Sequence, residues 1–127
     1  MLVTANLSKG GVYMTAPQMR YLLTYMGLNV SERSITSVAI ELSVNKSTVS
    51  RVFALAVKEG ILDEKHQITA YGKQEIEQFS FKLEKLIGFL CDLGLNRKSA
   101  YQEAYQMLGA CSEETIQALI KRIQGVA

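Results

Sequence analysis

Between Asn45 and Gly60 the chain reads NKSTVSRVFALAVKEG, and its apolar positions Val49, Val52, Phe53 and Ala56 fall at i, i+3, i+4 and i+7. That spacing is the buried stripe of an α-helix. Asn45 is placed to cap its start and Gly60 to end it. Lys46, Ser47, Ser50 and Arg51 then have to face away from the stripe. Upstream, APQMRYLLTYMGL from Ala16 predicts a first helix, with Pro17 tolerated in its opening turn and Gly27 near its end. TSVAIEL predicts a short second helix, with Thr36 as its N-cap candidate and Val38, Ala39 and Leu42 as its apolar positions. Only SVN separates it from the third.

Downstream of Gly60, ILDEKHQITAYG places two short apolar runs around a polar tip at Asp63–Gln67, the pattern of a small β-hairpin. Past Gly72 the period returns to that of a helix. Ile76, Phe79, Leu83, Leu86, Ile87 and Leu90 form a 3-4 repeat, GLNR breaks it, and KSAYQEAYQML carries Ala100, Ala104, Met107 and Leu108 on one face. The last helix lies in GACSEETIQALIKRI. Ser112 can cap it, and Glu113 and Glu114 suit its positive end as Lys121 and Arg122 suit its negative one. Residues 1–15 read as a loose arm.

Helix, helix, tight turn, helix, hairpin is the order of a winged helix-turn-helix, here over residues 16–73. The fold class expected is therefore mostly α, with three helices plus a small β-hairpin at the N-terminal end. In such a domain the third helix enters the DNA major groove by its first turn. Ser47, Thr48 and Ser50 can then bond phosphate or base edges, Lys46 can neutralise a phosphate, and Arg51 is long enough for bidentate contact with guanine. Lys65 and His66, at the hairpin tip, are candidates for the flanking backbone or minor groove. A polar face is also the default for any surface helix, so the order of elements carries the reading.

Composition sharpens it only a little. The 127 residues carry a net charge of +2. Residues 1–60 hold six Lys/Arg against three Asp/Glu, and the remainder eight against nine, so the basic excess sits with the first half. No apolar run reaches the ~18 residues of a membrane span, and the start of the chain lacks the layout of a signal peptide, which predicts a cytoplasmic protein without a membrane partner. Cys91 and Cys111 have no CxxC spacing and no neighbouring histidine, and are read as small core residues rather than a disulfide, redox or zinc site. No Ser-His-Asp or Cys-His arrangement and no phosphate-binding glycine loop is present, so no catalytic residues and no cofactor are assigned. Tyr101 and Tyr105, at i and i+4, are an interface or core pair that could also line a small-molecule pocket.

The stretch ITSVAIELSVNKSTVSRVFALAVKEGIL, followed by ITAYGKQEI, resembles the DNA-binding domain of the diphtheria-toxin-repressor and manganese-transport-regulator family. LGLNRKSAYQEAYQMLGACSEETIQALI is similar to that family's dimerisation domain, which extends the resemblance over residues 16–123. It implies a helical dimerisation domain over residues 74–127 and a homodimeric transcriptional repressor binding a pseudopalindromic operator in double-stranded DNA. Members of the family are switched by iron or manganese. Here the positions matching their ligands hold Leu83, Tyr105, Leu108 and Gly109, and those of the first helix fall near Arg20 and Leu23. Leu and Gly side chains cannot coordinate a cation, and a tyrosine with pKa about 10 is a poor ligand at neutral pH. The expectation is a regulator without the metal switch, constitutive or controlled by an unknown small-molecule effector near the tyrosines. Two alternatives keep the N-terminal domain: a protein-interaction module, and a repressor like the multiple-antibiotic-resistance regulators that responds to a small molecule.

Overall fold

The computed structural model of the chain describes residues 14–125. Six α-helices and one 3₁₀ turn follow one another over these residues: α1 (Ala16–Gly27), the 3₁₀ turn (Val30–Glu32), α2 (Ile35–Leu42), α3 (Lys46–Lys58), α4 (Ala70–Asp92), α5 (Arg97–Ala110) and α6 (Glu113–Ile123). The loose arm expected over residues 1–15 lies outside the described residues except for Met14 and Thr15. The chain divides into two compact units. Pro17–Glu77 forms one, and Gln78 onward together with the stretch ending at Ala16 forms the other, so the boundary falls inside α4.

In the first unit the stripe predicted for α3 is the stripe that is buried: Val49, Val52, Phe53 and Ala56. Leu22 and Tyr25 of α1, Val38 and Ala39 of α2, Ile61, Leu62 and Ile76 complete this core. Helix α2 begins two residues earlier than its sequence suggests. Ser34, not Thr36, is the N-cap, in extended conformation and with its hydroxyl accepting from the Ser37 N–H at 2.9 Å. At the far end of α1 the Arg33 guanidinium takes the place of a C-cap. It donates to the Met26 and Leu28 carbonyls at 2.7 and 3.2 Å and lies 5.9 Å from the centre of the Tyr25 ring, satisfying acceptors the helix itself leaves open.

The β-hairpin predicted over Ile61–Gly72 does not form, and the winged architecture is corrected accordingly. Among the described residues there is no strand, only an isolated antiparallel bridge between Leu62 and Ile68. The backbone explains why. The Ile61 and Leu62 N–H groups turn back to the Ala56 carbonyl at the end of α3, at 2.9 and 3.2 Å. On the other side Thr69 opens a helix, its hydroxyl oxygen accepting from the Gly72 N–H at 2.8 Å and donating to the Gly60 carbonyl at 2.6 Å. Helix α4 therefore starts at Ala70 rather than beyond Gly72. Two-residue apolar runs flanked by helix caps leave no length for a ladder. The turn into α4 is also tight, because a Cβ at the buried Gly72 would run into the Ile61 backbone.

The second unit buries Leu83, Leu86 and Ile87 of α4, Ala100, Ala104 and Leu108 of α5, and Ile116 and Ile120 of α6. Asn96 caps α5 through the Ser99 N–H, and Ser112 caps α6 through the Thr115 N–H. The Lys82 ammonium meets the Glu113 carboxylate at 2.7 Å, and Gln117 donates to the same oxygen at 2.8 Å. Burial raises the Glu113 carboxyl, but these two partners outweigh it and hold the group below its ordinary range. Cys91 and Cys111 are free and half-buried.

Candidate nucleic-acid interface

The candidate surface is built on α2, the turn after it and α3. Helices α2 and α3 pack on each other. The turn is closed by Ser43, which adopts the left-handed conformation at φ 54° while its own N–H and that of Val44 bond back to the Ile40 and Ala39 carbonyls at 3.2 and 3.0 Å. A left-handed residue at this point ends a helix abruptly and lets the next one start within two residues. Asn45 follows in extended conformation. Its carbonyl accepts from the Thr48 and Val49 N–H groups, but its side chain makes no capping bond.

With the apolar stripe inward, Lys46, Ser47, Ser50, Arg51, Ala54 and Lys58 are exposed and Thr48 is half-buried. Arg51 reaches toward the Thr48 hydroxyl at 3.5 Å, the outer edge of hydrogen-bond range. The face thus presents three cations and three small residues. No acidic residue occurs between Lys46 and Lys58. The whole unit Pro17–Glu77 is nevertheless neutral, with seven Lys/Arg against seven Asp/Glu. Any attraction for a polyanion is therefore local to this face.

The two candidates of the loop after α3 part company. Lys65 is exposed, whereas His66 is half-buried. The His66 ring stands edge-on to Phe53 at 5.2 Å between centroids, its φ is 63°, and its carbonyl accepts from the Tyr25 hydroxyl at 2.6 Å. Tyr25 in turn packs edge-on to Phe53 at 4.8 Å. Burial pushes the Tyr25 phenol up, countered by Arg33 and reinforced by Asp63, so the hydroxyl stays protonated as a donor. Asp63 itself accepts from the Lys65 and Gln67 N–H groups at 2.8 and 2.9 Å, closing the loop on its own carboxylate. The Tyr25–His66 tie has no sequence signal, since its acceptor is a backbone carbonyl 41 residues away.

The positions that match the family's metal ligands carry other contacts. Leu83 and Leu108 are both buried in the second unit. Tyr105 donates to the Ala16 carbonyl at 2.9 Å, with Tyr101 and Phe79 against its ring at 5.6 and 6.0 Å. Gly109 and Arg20 are exposed and Leu23 is half-buried. Among the described residues no group of three or more His, Cys, Asp or Glu is arranged to hold a metal ion, and no helix is long and apolar enough to cross a membrane.

No family model matches the chain, and no curated protein matches it. Among solved structures it is similar to the hypothetical protein SSo2273 from Sulfolobus solfataricus, with a TM-score of 0.66, 20% identity, and coverage of 88% of this chain and 91% of that one. The likeness extends to nearly the full length of both chains and concerns the fold alone.

Proposed function

We propose that the protein is a sequence-specific DNA-binding transcriptional repressor acting as a homodimer on a pseudopalindromic operator in double-stranded DNA. One observation carries the reading: a helix-turn-helix whose second helix buries its apolar stripe and presents Lys46, Ser47, Ser50 and Arg51 with no acid among them. That is the composition needed to approach phosphates and read base edges from a major groove. The hydroxyls bring the backbone close, Lys46 meets a phosphate, and Arg51 supplies base discrimination. The neutral charge of the unit implies modest non-specific affinity, so the preferred site has to be distinguished by direct contacts rather than by bulk electrostatics. The second unit, from Gln78 in α4 through α6, supplies the dimer contact that sets half-site spacing.

Selection from a random duplex library followed by footprinting on the enriched sequence tests this. The expected result is a protected two-fold site with half-sites centred about one helical turn apart, and a sedimenting species of twice the chain mass. Absence of any duplex binding at low salt would remove the proposal. Affinity for the enriched site should be equal in excess chelator and in saturating manganese or iron, because a ligand without differential affinity for two states shifts neither.

A further inference from the structure

The loop Asp63–Gln67 is anchored to α3 in a way that its length and composition do not require. His66 is a non-glycine residue in the left-handed region, and its conformation is held by a hydrogen bond of 2.6 Å from the Tyr25 hydroxyl and by the edge-on contact of its ring with Phe53. Phe53 is the buried centre of α3, and Tyr25 packs on the same ring. Three side chains from α1, α3 and the loop therefore form one stack. Lys65, the residue before His66 in the chain, is exposed. Asp63 is folded back on the Lys65 and Gln67 N–H groups, so the loop closes on itself.

We propose that Tyr25 is a positioning residue for nucleic-acid binding: through the His66 carbonyl it fixes the loop so that Lys65 makes a second phosphate contact beside those of α3. The inference rests on the reading of α3 as the DNA-contacting helix. Backbone pairing across the base of this loop is short: the single Leu62–Ile68 bridge, with the Asp63 N–H on the Gln67 carbonyl at 2.9 Å and the Thr69 N–H on the Ile61 carbonyl at 3.0 Å. The phenol-to-carbonyl bond and the ring stack add a tie to α1 and α3 at the residue next to Lys65. Glu64, exposed beside Lys65, then lies close enough to the DNA backbone to weaken binding.

The test is a fluorescence-anisotropy titration of the full chain against a labelled mixed-sequence duplex of about three helical turns, repeated at several salt concentrations. Lys65→Ala should weaken binding about five- to tenfold near 0.1 M salt and reduce the salt slope by about one, the signature of one lost phosphate contact. Tyr25→Phe keeps the ring and loses only the hydroxyl. It should reproduce most of the Lys65→Ala loss, and the double variant should bind no more weakly than Lys65→Ala alone. Wild-type affinity in Tyr25→Phe, or losses that multiply in the double variant, would overturn the inference and leave Tyr25 a purely structural residue. If Tyr25→Phe does not fold, Glu64→Gln decides instead: tighter binding with an unchanged melting temperature supports the loop's proximity to DNA, and unchanged binding overturns it. Lys46→Ala separates the two levels. Loss of affinity there with indifference at Lys65, Tyr25 and Glu64 rejects this inference alone, whereas no duplex binding by the wild type rejects the function beneath it as well.

Discussion

Helices α3 and α6 are both amphipathic, α3 burying four side chains and α6 two, and both carry cations in their last turn, yet they treat their first turns in opposite ways. Helix α6 is capped by the Ser112 side chain, carries Glu113 and Glu114 in its first turn and Lys121 and Arg122 in its last. Each charge opposes the helix dipole, and one of them is tied across to Lys82. Helix α3 starts on Asn45, whose side chain makes no capping bond, has no acid in its first turn, and sets Lys46 there instead. A cation at the positive end of a helix lowers stability, typically by 0.3–1 kcal/mol. The contrast separates a helix whose first turn is arranged for its own stability from one whose first turn is not, which is what the proposed contact with DNA phosphates requires.

Four changes at α3 and α6, and one change of pH, test that contrast. The largest effect is expected from Arg51→Ala, which should cost about 1–3 kcal/mol of affinity for the preferred site and relax one base pair in each half-site, with urea unfolding unchanged. Next, Ser112→Ala should lower stability by about 1 kcal/mol in the same urea titration, whereas Asn45→Ala should cost only a few tenths because no side-chain bond is lost. A smaller effect of opposite sign is expected from Lys46→Glu, which should raise stability by about 0.3–1 kcal/mol while weakening duplex binding. If Lys46→Glu stabilised the protein and left binding intact, α3 would be an ordinary surface helix.

The smallest effect concerns pH. The folded state holds the Glu113 carboxyl below its ordinary value of 4.5, so its contribution is complete above that pH and is lost as the pH falls through the folded value. Thermal melts between pH 3 and 6 should show a shallower acid loss in Glu113→Gln than in the wild type. Tyr25 acts at the opposite end of the scale. Its folded value is raised above 10.0, so its contribution is complete below pH 10 and declines as the pH rises through the folded value.

Much of this could be read from the chain itself, because helical spacing is a dense signal. The stripe Val49, Val52, Phe53, Ala56 and the cap Ser112 belong to segments in which period, cap and composition agree. The hairpin failed where the signal was sparse. Two apolar residues on either side of a polar tip fit a strand pair, but they equally fit a loop between two helices, and Thr69 as a helix-opening residue settles the outcome. Thr36 reads as the cap of α2 from its place before the apolar positions, but a cap is decided by which hydroxyl meets a free N–H, and that is Ser34. Lys46, Ser47, Ser50 and Arg51 were legible as exposed because burial of the stripe forces it. The inward turn of His66 was not, since a packing partner such as Phe53 leaves no mark on the residues around position 66.

Gly72 bears on the order in which the chain can fold. Its α-carbon approaches the Ile61 backbone so closely that no side chain fits between them, and its N–H is held by Thr69. The packing of the first turn of α4 on the exit from α3 is therefore made only when both segments are in place, and we expect this crossing to form part of the folding nucleus. Mutations that loosen it, such as Thr69→Ala, would then slow folding more than they speed unfolding, giving φ-values well above those at the exposed end of α2.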